Sequence, residues 1–480
     1  MNKLSVKYSS LSLPVKASIW FVICNILQKS VYFFMIPVYT RIMPPTDYGV
    51  FSIFTSWVTV IAAFAGLNLA GNSFNVGMVK YENDRDRYTS CIQGLWWANT
   101  TIWLILGFLL RDLWEYYSGL SFNVMLAIFA DIYVISCFDL WSAKQKFDYN
   151  YKALVVITSL IAVITPIVSI FIVLNSADKS MAAIWCKVGV MGFFSIAVGI
   201  INVIKGKSLF DYHYWKNALL FNIPLIAYYL SLTVLSQSDR IMIGVICGND
   251  LAGIYSIAYS LAMVLTLLNA AVNGSFIPWE FKNMKVGTIQ PIKKISNYIL
   301  IMVGVANLLL IAVSPEIIHC FTTSAYHSAI WIVPPIALSS FFMCEYQFFV
   351  NIEFYFEKNR FVMTASIAVA LLNIVMNFIF IPRFGYMAAA YTTLISYLAF
   401  TVAHYIFMKK TCKQEGFEKM VYDIQSFFYI SLVMTLLSFI FLLSYNFTFL
   451  RYLLILLIAS IAIFIIFFKN DNESDFFLKI

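Results

Sequence analysis

At 480 residues the chain has the length of about three soluble domains. Yet 61% of it is hydrophobic and only 12% charged, where soluble domains run nearer a half and a quarter. That excludes a soluble enzyme and specifies an all-α polytopic membrane protein, so the net charge of +8 has to be interpreted by where its bases fall.

Apolar runs of about 20 residues, the length a helix needs to cross a bilayer, recur along the chain. They cover 17–40, 48–70, 90–110, 119–140, 154–174, 181–204 and 217–236, then 251–277, 292–314, 327–350, 361–381, 386–408, 426–446 and 450–468. The first follows a Lys-bearing start but runs to about Tyr39 through Gln28 and Lys29, so it reads as an uncleaved span and not as a signal peptide. Fourteen spans leave only short connections, and no folded domain fits outside the membrane. The boundaries are weakest at 236–250 and 315–326, which keeps twelve or thirteen spans as alternatives.

The bases alternate from loop to loop. With the N-terminus in the cytoplasm, 24 of the 32 Lys and Arg lie on that side, from Lys3, Lys7 and Lys16 to Lys469 and Lys479. Six lie on the other side (Arg41, Arg111, Lys179, Arg240, Arg383 and Arg451), and Lys29 and Lys187 fall inside spans. This is the positive-inside pattern, with both termini cytoplasmic. The excess charge therefore marks topology, and no nucleic-acid partner is expected. The eight cysteines are scattered without C-x-x-C spacing, and the four histidines lack metal-site spacing, so neither a metal nor a cofactor is expected.

The halves resemble each other. After the first span the chain reads Arg41-Ile42-Met43, then Asp47, Gly49 and Phe51-Ser52-Ile53; after the seventh it reads Arg240-Ile241-Met242, then Asp250, Gly253 and Tyr255-Ser256-Ile257. Met181-Ala182-Ala183 and Met387-Ala388-Ala389 match at the starts of the sixth and twelfth spans. Six spans separate each pair, so the copies face the same way: a parallel repeat of six helices with an added pair at the end. The expected divisions are an N-terminal lobe at 1–216, a C-terminal lobe at 217–410 and the added pair with its tail at 411–480.

Three of these segments carry a family resemblance. Arg41 to Ile53, Ser236 to Tyr259 with Asp239-Arg240 and Gly253-Ile254-Tyr255, and Ile381-Pro382-Arg383-Phe384-Gly385-Tyr386 before three alanines resemble segments of polysaccharide exporters. Those exporters are the Wzx-type O-antigen flippases of the multidrug/oligosaccharidyl-lipid/polysaccharide (MOP) superfamily. The resemblance implies two six-helix lobes around a central cavity that opens alternately to either side of a bacterial inner membrane. It implies transport of an undecaprenyl-pyrophosphate-linked oligosaccharide among membrane lipids, with a polysaccharide polymerase and a chain-length regulator as expected partners. Many members have twelve spans, and this chain carries one pair more.

A pyrophosphate crossing hydrocarbon needs compensating bases at membrane depth. Lys29, about 12 residues and so roughly 18 Å into the first span, lies near the midplane. Asn25 and Tyr32 share its helix face. Lys187 lies nearer the outer end of the sixth span, where it can reach substrate or snorkel to the interface. Arg41 and Arg240 hold equivalent repeat positions at outer ends, suited either to substrate or to terminal helix carbonyls. Lys29, Lys187, Arg41, Arg240 and Asn25 are thus the candidate substrate-binding residues. Asp131 and Glu345 are intramembrane carboxylates, hence ion-coupling sites or counter-ions, and Lys29 is one possible partner of Asp131. Glu353, nearer an interface, is expected to be solvated, and Asp239 and Asp250 to pair locally. The Asn pairs 68/72, 269/273 and 373/377 read mainly as helix-packing groups.

An ion-coupled drug exporter of the same superfamily remains the alternative, and should depend on carboxylates more than on bases. A membrane glycosyltransferase or polymerase is disfavoured, because no long outer loop, nucleophile triad or nucleotide-binding motif appears and no catalytic residue is assigned.

Overall fold

The structure is a computed structural model and describes residues 12–416 and 421–468. Without water to satisfy them, backbone amides in hydrocarbon must bond within their own segment, so long apolar runs become helices. Among the described residues, fourteen helices of 20 residues or more stand where the fourteen spans are expected. In chain order they are α1 Leu13–Ile42, α2 Pro45–Gly66, α3 Arg85–Leu109, α4 Phe122–Phe147, α5 Tyr151–Leu174, α6 Lys179–Gly206 and α7 Tyr212–Cys247. Then follow α8 Asn249–Val286, α9 Ile289–Phe321, α10 Val333–Tyr355, α11 Asn359–Phe384, α12 Ala388–Gln414, α13 Ile424–Leu443 and α14 Thr448–Phe468. Eleven helices meet a length-and-apolarity test for a span among the described residues, or twelve if the bent Ser324–Tyr355 segment is one.

Local chemistry sets several ends. Pro14 and Pro45 stand in the first turns of α1 and α2, where no amide partner is lost. Asp178 and Asp211 cap α6 and α7 by accepting amide protons from Met181 and from His213 and Tyr214. Asp423 caps α13, and its bonds from the Ser426 hydroxyl and amide hold its carboxyl below the ordinary range. Pro37, Pro166, Pro224 and Pro278 lie inside helices.

Two expectations need correction. The connection within 236–250 shrinks to Gly248, because α7 continues to Cys247 and places Asp239-Arg240 within the helix. Asn68 and Asn72 share no helix face, because α2 ends at Gly66 and Asn68 adopts φ 52, a left-handed turn that Asn tolerates.

Contacts group the chain into two compact units, Met1–Ser256 with Ser366–Tyr386, and Ile257–Ala365 with Met387–Ile480. In the first, α6 packs on α3, α4 and α5, α1 on α5, and α7 on α2. In the second, α10 packs against α12 and α9, and α13 lies on both α9 and α10. The added pair is fastened by polar contacts as well as by packing: the Tyr445 hydroxyl meets Ser314 Oγ at 2.8 Å and the Ile311 carbonyl at 2.9 Å, and Arg451 pairs with Glu316.

Candidate functional site

The duplicated segment meets its own copy. The Ser52 and Ser256 hydroxyls hydrogen-bond to each other, and both residues are buried. A Cβ built on Gly253 would lie 3.0 Å from Gly49 N and 3.2 Å from Gly49 Cα, and would also meet the Pro45 carbonyl. A Cβ on Gly49 would run into the Asn249 carbonyl. Ser52 matches Ser256 in the repeat and Gly49 matches Gly253, so equivalent residues touch each other, as they do where a two-fold axis passes through a contact. Lipid tails provide no hydrophobic drive for helices to associate, so close backbone approach at small residues has to hold the starts of α2 and α8 together.

Beneath this contact lies a buried polar cluster. Asp239, expected to pair locally, instead bridges three helices. Its Oδ1 accepts from Asn377 Nδ2 at 2.7 Å and its Oδ2 from the Tyr255 hydroxyl at 2.5 Å. Ser238 Oγ donates to Asn373 Oδ1 at 3.0 Å. Asn373 and Asn377 thus join helices, as expected of Asn in spans. In the second unit, Asn269 donates to the Ser340 carbonyl at 2.8 Å and joins α8 to α10.

The candidate bases have distinct surroundings. Lys187 on α6 pairs with Asp131 on α4 at 2.5 Å, and its ammonium stands 5.1 Å from the Phe54 ring centroid on α2. Asp131 is fully buried, and its Oδ1 finds no hydrogen-bond partner among the described residues. Of the two bases weighed for Asp131, Lys187 is the one that pairs with it. Arg41, exposed at the last turn of α1, donates to the Pro37 carbonyl of its own helix at 2.9 Å. Arg240 donates to Gln237 Oε1 at 3.0 Å and reaches Ser56 Oγ on α2 at 3.4 Å. Lys29 and Asn25 belong to α1, but their side chains lie outside the described residues.

Among the described residues the second unit holds three buried carboxylates, of which the sequence makes only Glu345 a candidate site residue. Glu345 accepts from Ser431 Oγ of α13 at 2.8 Å. Glu280 is bonded by the Tyr422 hydroxyl and by Asn351 Nδ2 at 3.3 Å, while Tyr422 also lies 2.8 Å from the Phe348 carbonyl. Glu353, expected in solvent, is fully buried against His404, because α10 packs along its length on α12. The partners of Glu280 and Glu353 lie 142 and 51 residues away, so no spacing in the sequence could have signalled them. Among the described residues no cluster of His, Cys, Asp and Glu could hold a metal.

The fold is similar to those of solved membrane transporters, at low sequence identity. Lipid II flippase MurJ in an inward closed conformation superposes with a TM-score of 0.71 at 15% identity, over 94% of this chain and 99% of that one. An inward-facing multidrug-resistance MATE transporter gives 0.67 at 9% identity, over 82% and 96%. A MOP-superfamily transporter from Pyrococcus furiosus gives 0.56 at 14%, over 83% and 96%. Residues 15–284 match the family model described as polysaccharide biosynthesis protein, and the chain belongs to that family. Lsg locus putative protein 1 of Haemophilus influenzae is 21% identical over 360 residues, which are 73% of this chain and 87% of that protein.

Proposed function

We propose that this protein is a flippase that moves an undecaprenyl-pyrophosphate-linked oligosaccharide, an O-antigen or other surface-polysaccharide repeat unit, across a bacterial inner membrane. The observation that carries the reading is Lys187, a base kept inside the membrane-spanning helices by a buried carboxylate. Membership of the polysaccharide biosynthesis family supports the glycan cargo. Such a base suits a diphosphate, whereas a cationic drug would favour acids alone. Lys29, Arg41, Arg240 and Asn25 complete the proposed binding set, and the two lobes are taken as 1–216 and 217–410 with the added pair at 411–480. Lipid tails stay in the bilayer while the sugar passes, and a polymerase and chain-length regulator receive the product on the outer face.

The buried Asp131 and Glu345 favour a second reading, an ion-coupled drug exporter. Deleting the gene, in a strain with no redundant transporter, separates the two. A flippase leaves the lipid-linked oligosaccharide trapped on the cytoplasmic leaflet and abolishes the surface glycan. An exporter leaves both unchanged and alters resistance to cationic compounds, an outcome that ends the flippase reading.

The alternation of bases supports an orientation with both termini in the cytoplasm. In a version lacking the eight native cysteines, a cysteine at Arg383 should react with an impermeant thiol reagent from outside and one at Lys413 should not. The reverse pattern inverts the orientation.

A further inference from the structure

The second unit contains a titratable pair that the binding set does not use. Glu353 lies on α10, two residues before its last residue, and His404 on α12. Both side chains are fully buried. His404 Nδ1 stands 3.0 and 2.9 Å from the two carboxylate oxygens. The other ring nitrogen, Nε2, is buried with no hydrogen-bond partner among the described residues.

Around the pair are aromatic rings: Phe400 at 4.5 Å from the imidazole centroid, Phe361 at 5.6 Å and Tyr346 at 5.9 Å. Tyr346 is the further titratable group in this shell. Glu357, Lys358 and Arg360 follow Glu353 in the chain and Lys409 and Lys410 follow His404; of these, Lys358 pairs with Glu415 at 2.8 Å.

This geometry fits two states of the pair that differ by one proton. With the proton of a neutral imidazole on Nδ1, the ring donates to an ionised Glu353, Nε2 keeps a bare lone pair, and the site carries one uncompensated negative charge. Such a charge among phenyl rings is costly. Binding one proton removes it. The added proton ends on Nε2 in either internal arrangement, imidazolium against carboxylate or neutral acid against the opposite tautomer, and the charge of the pair goes from minus one to zero. A hard cation such as sodium needs several oxygen ligands. Here both carboxylate oxygens face Nδ1 and the recorded ring neighbours are aromatic.

We propose that Glu353 and His404 form the proton-binding site that couples transport to the transmembrane proton gradient. The proposal rests on the transport reading above and names its coupling ion. The site lies within one helical turn of the Lys-rich, cytoplasmic end of α10, so protons exchange with that side, and the loss or gain of one charge in an apolar packing layer biases the packing of α10 against α12.

The test uses the intact protein, labelled with 15N-histidine, in phosphatidylethanolamine–phosphatidylglycerol vesicles. Four histidines give a spectrum simple enough for His404→Gln to assign the signal. Between about pH 8 and about pH 5, the range in which histidine titrates, Nε2 of His404 should change from unprotonated to protonated with one midpoint. Glu353→Gln removes the negative charge that favours uptake and should lower that midpoint by about one pH unit or more. A cysteine pair at Ser52 and Ser256 in a version lacking the native cysteines, oxidised by added copper–phenanthroline with oxygen, reports the contact between the repeat copies; its disulfide yield, taken at each pH relative to the same pair in His404→Gln so that thiol titration cancels, should follow the same midpoint. An Nε2 signal that does not titrate overturns the proposal. So does an unchanged midpoint in Glu353→Gln, and so does titration that leaves the disulfide yield constant, which would make the pair structural only. If Glu353→Gln does not accumulate, the titration and disulfide yield of the unsubstituted pair still decide. None of these measurements uses a glycolipid, so their failure is distinct from failure of the flippase reading, which the deletion strain reports.

Discussion

Gly49→Val should reduce export of the surface glycan at least tenfold while leaving the protein in the membrane. The new side chain would enter the space held by the Asn249 carbonyl and the backbone of Gly253, where rigid main chain and no flexible side-chain end stands in the way. Overpacking of this kind costs about 1–3 kcal/mol when neighbours can adjust. Here the accommodation has to be a separation of α2 from α8, which breaks the Ser52–Ser256 hydrogen bond as well. Gly253→Val should act alike, because its Cβ meets the Pro45 carbonyl and the Gly49 backbone. Since both substitutions open one contact, the double variant should be little worse than either single one. Export rates in whole cells and disulfide yield between cysteines at 52 and 256 check this: both should fall together. Wild-type export by Gly49→Val would mean that the close contact is not a required state of the transport cycle.

The second large effect is expected at Lys187. Lys187→Met leaves Asp131 buried with neither carboxylate oxygen bonded. Removing one partner of a buried pair typically costs about 3–5 kcal/mol, enough to lower thermal stability and protein level severely. Asp131→Asn should be milder, because the Lys187 side chain is 14% exposed and a long ammonium chain can reorient toward polar surroundings. The double variant Lys187→Met/Asp131→Asn should regain most of the stability, since no uncompensated charge remains. Export separates the roles of the base. If Lys187 meets the diphosphate, the stable double variant stays inactive; if it only neutralises Asp131, export returns with stability. Protein level, thermal unfolding midpoint and glycan export measured on the same three variants form the cycle.

The unequal legibility of the carboxylates follows from their geometry. Asp131 and Glu345 stand out in the sequence because they interrupt apolar runs, and both prove buried. Glu280 and Glu353 lie close to helix ends, where a carboxylate ordinarily meets water. They are buried because Tyr422 from the segment before α13 covers one and His404 from α12 covers the other. Asp239 gives the same lesson: the continuation of α7 to Cys247 turns an expected loop residue into a buried bridge to Asn377.

The sequence by itself determined the helical class, the places of the fourteen long helices and the repeat. These depend on the bilayer, which acts on every segment independently through its thickness and its lack of hydrogen-bonding partners, so run length and composition suffice. It also contained both copies of the segment around Gly49 and Gly253, because duplicated residues are visible without folding. Tertiary structure alone decided that the two copies touch each other, that Asp131 answers Lys187 and that Glu353 answers His404. Pairing between helices depends on their relative rotation and axial position, set by many packed side chains together. No periodicity along one chain records which face of a helix meets which face of another.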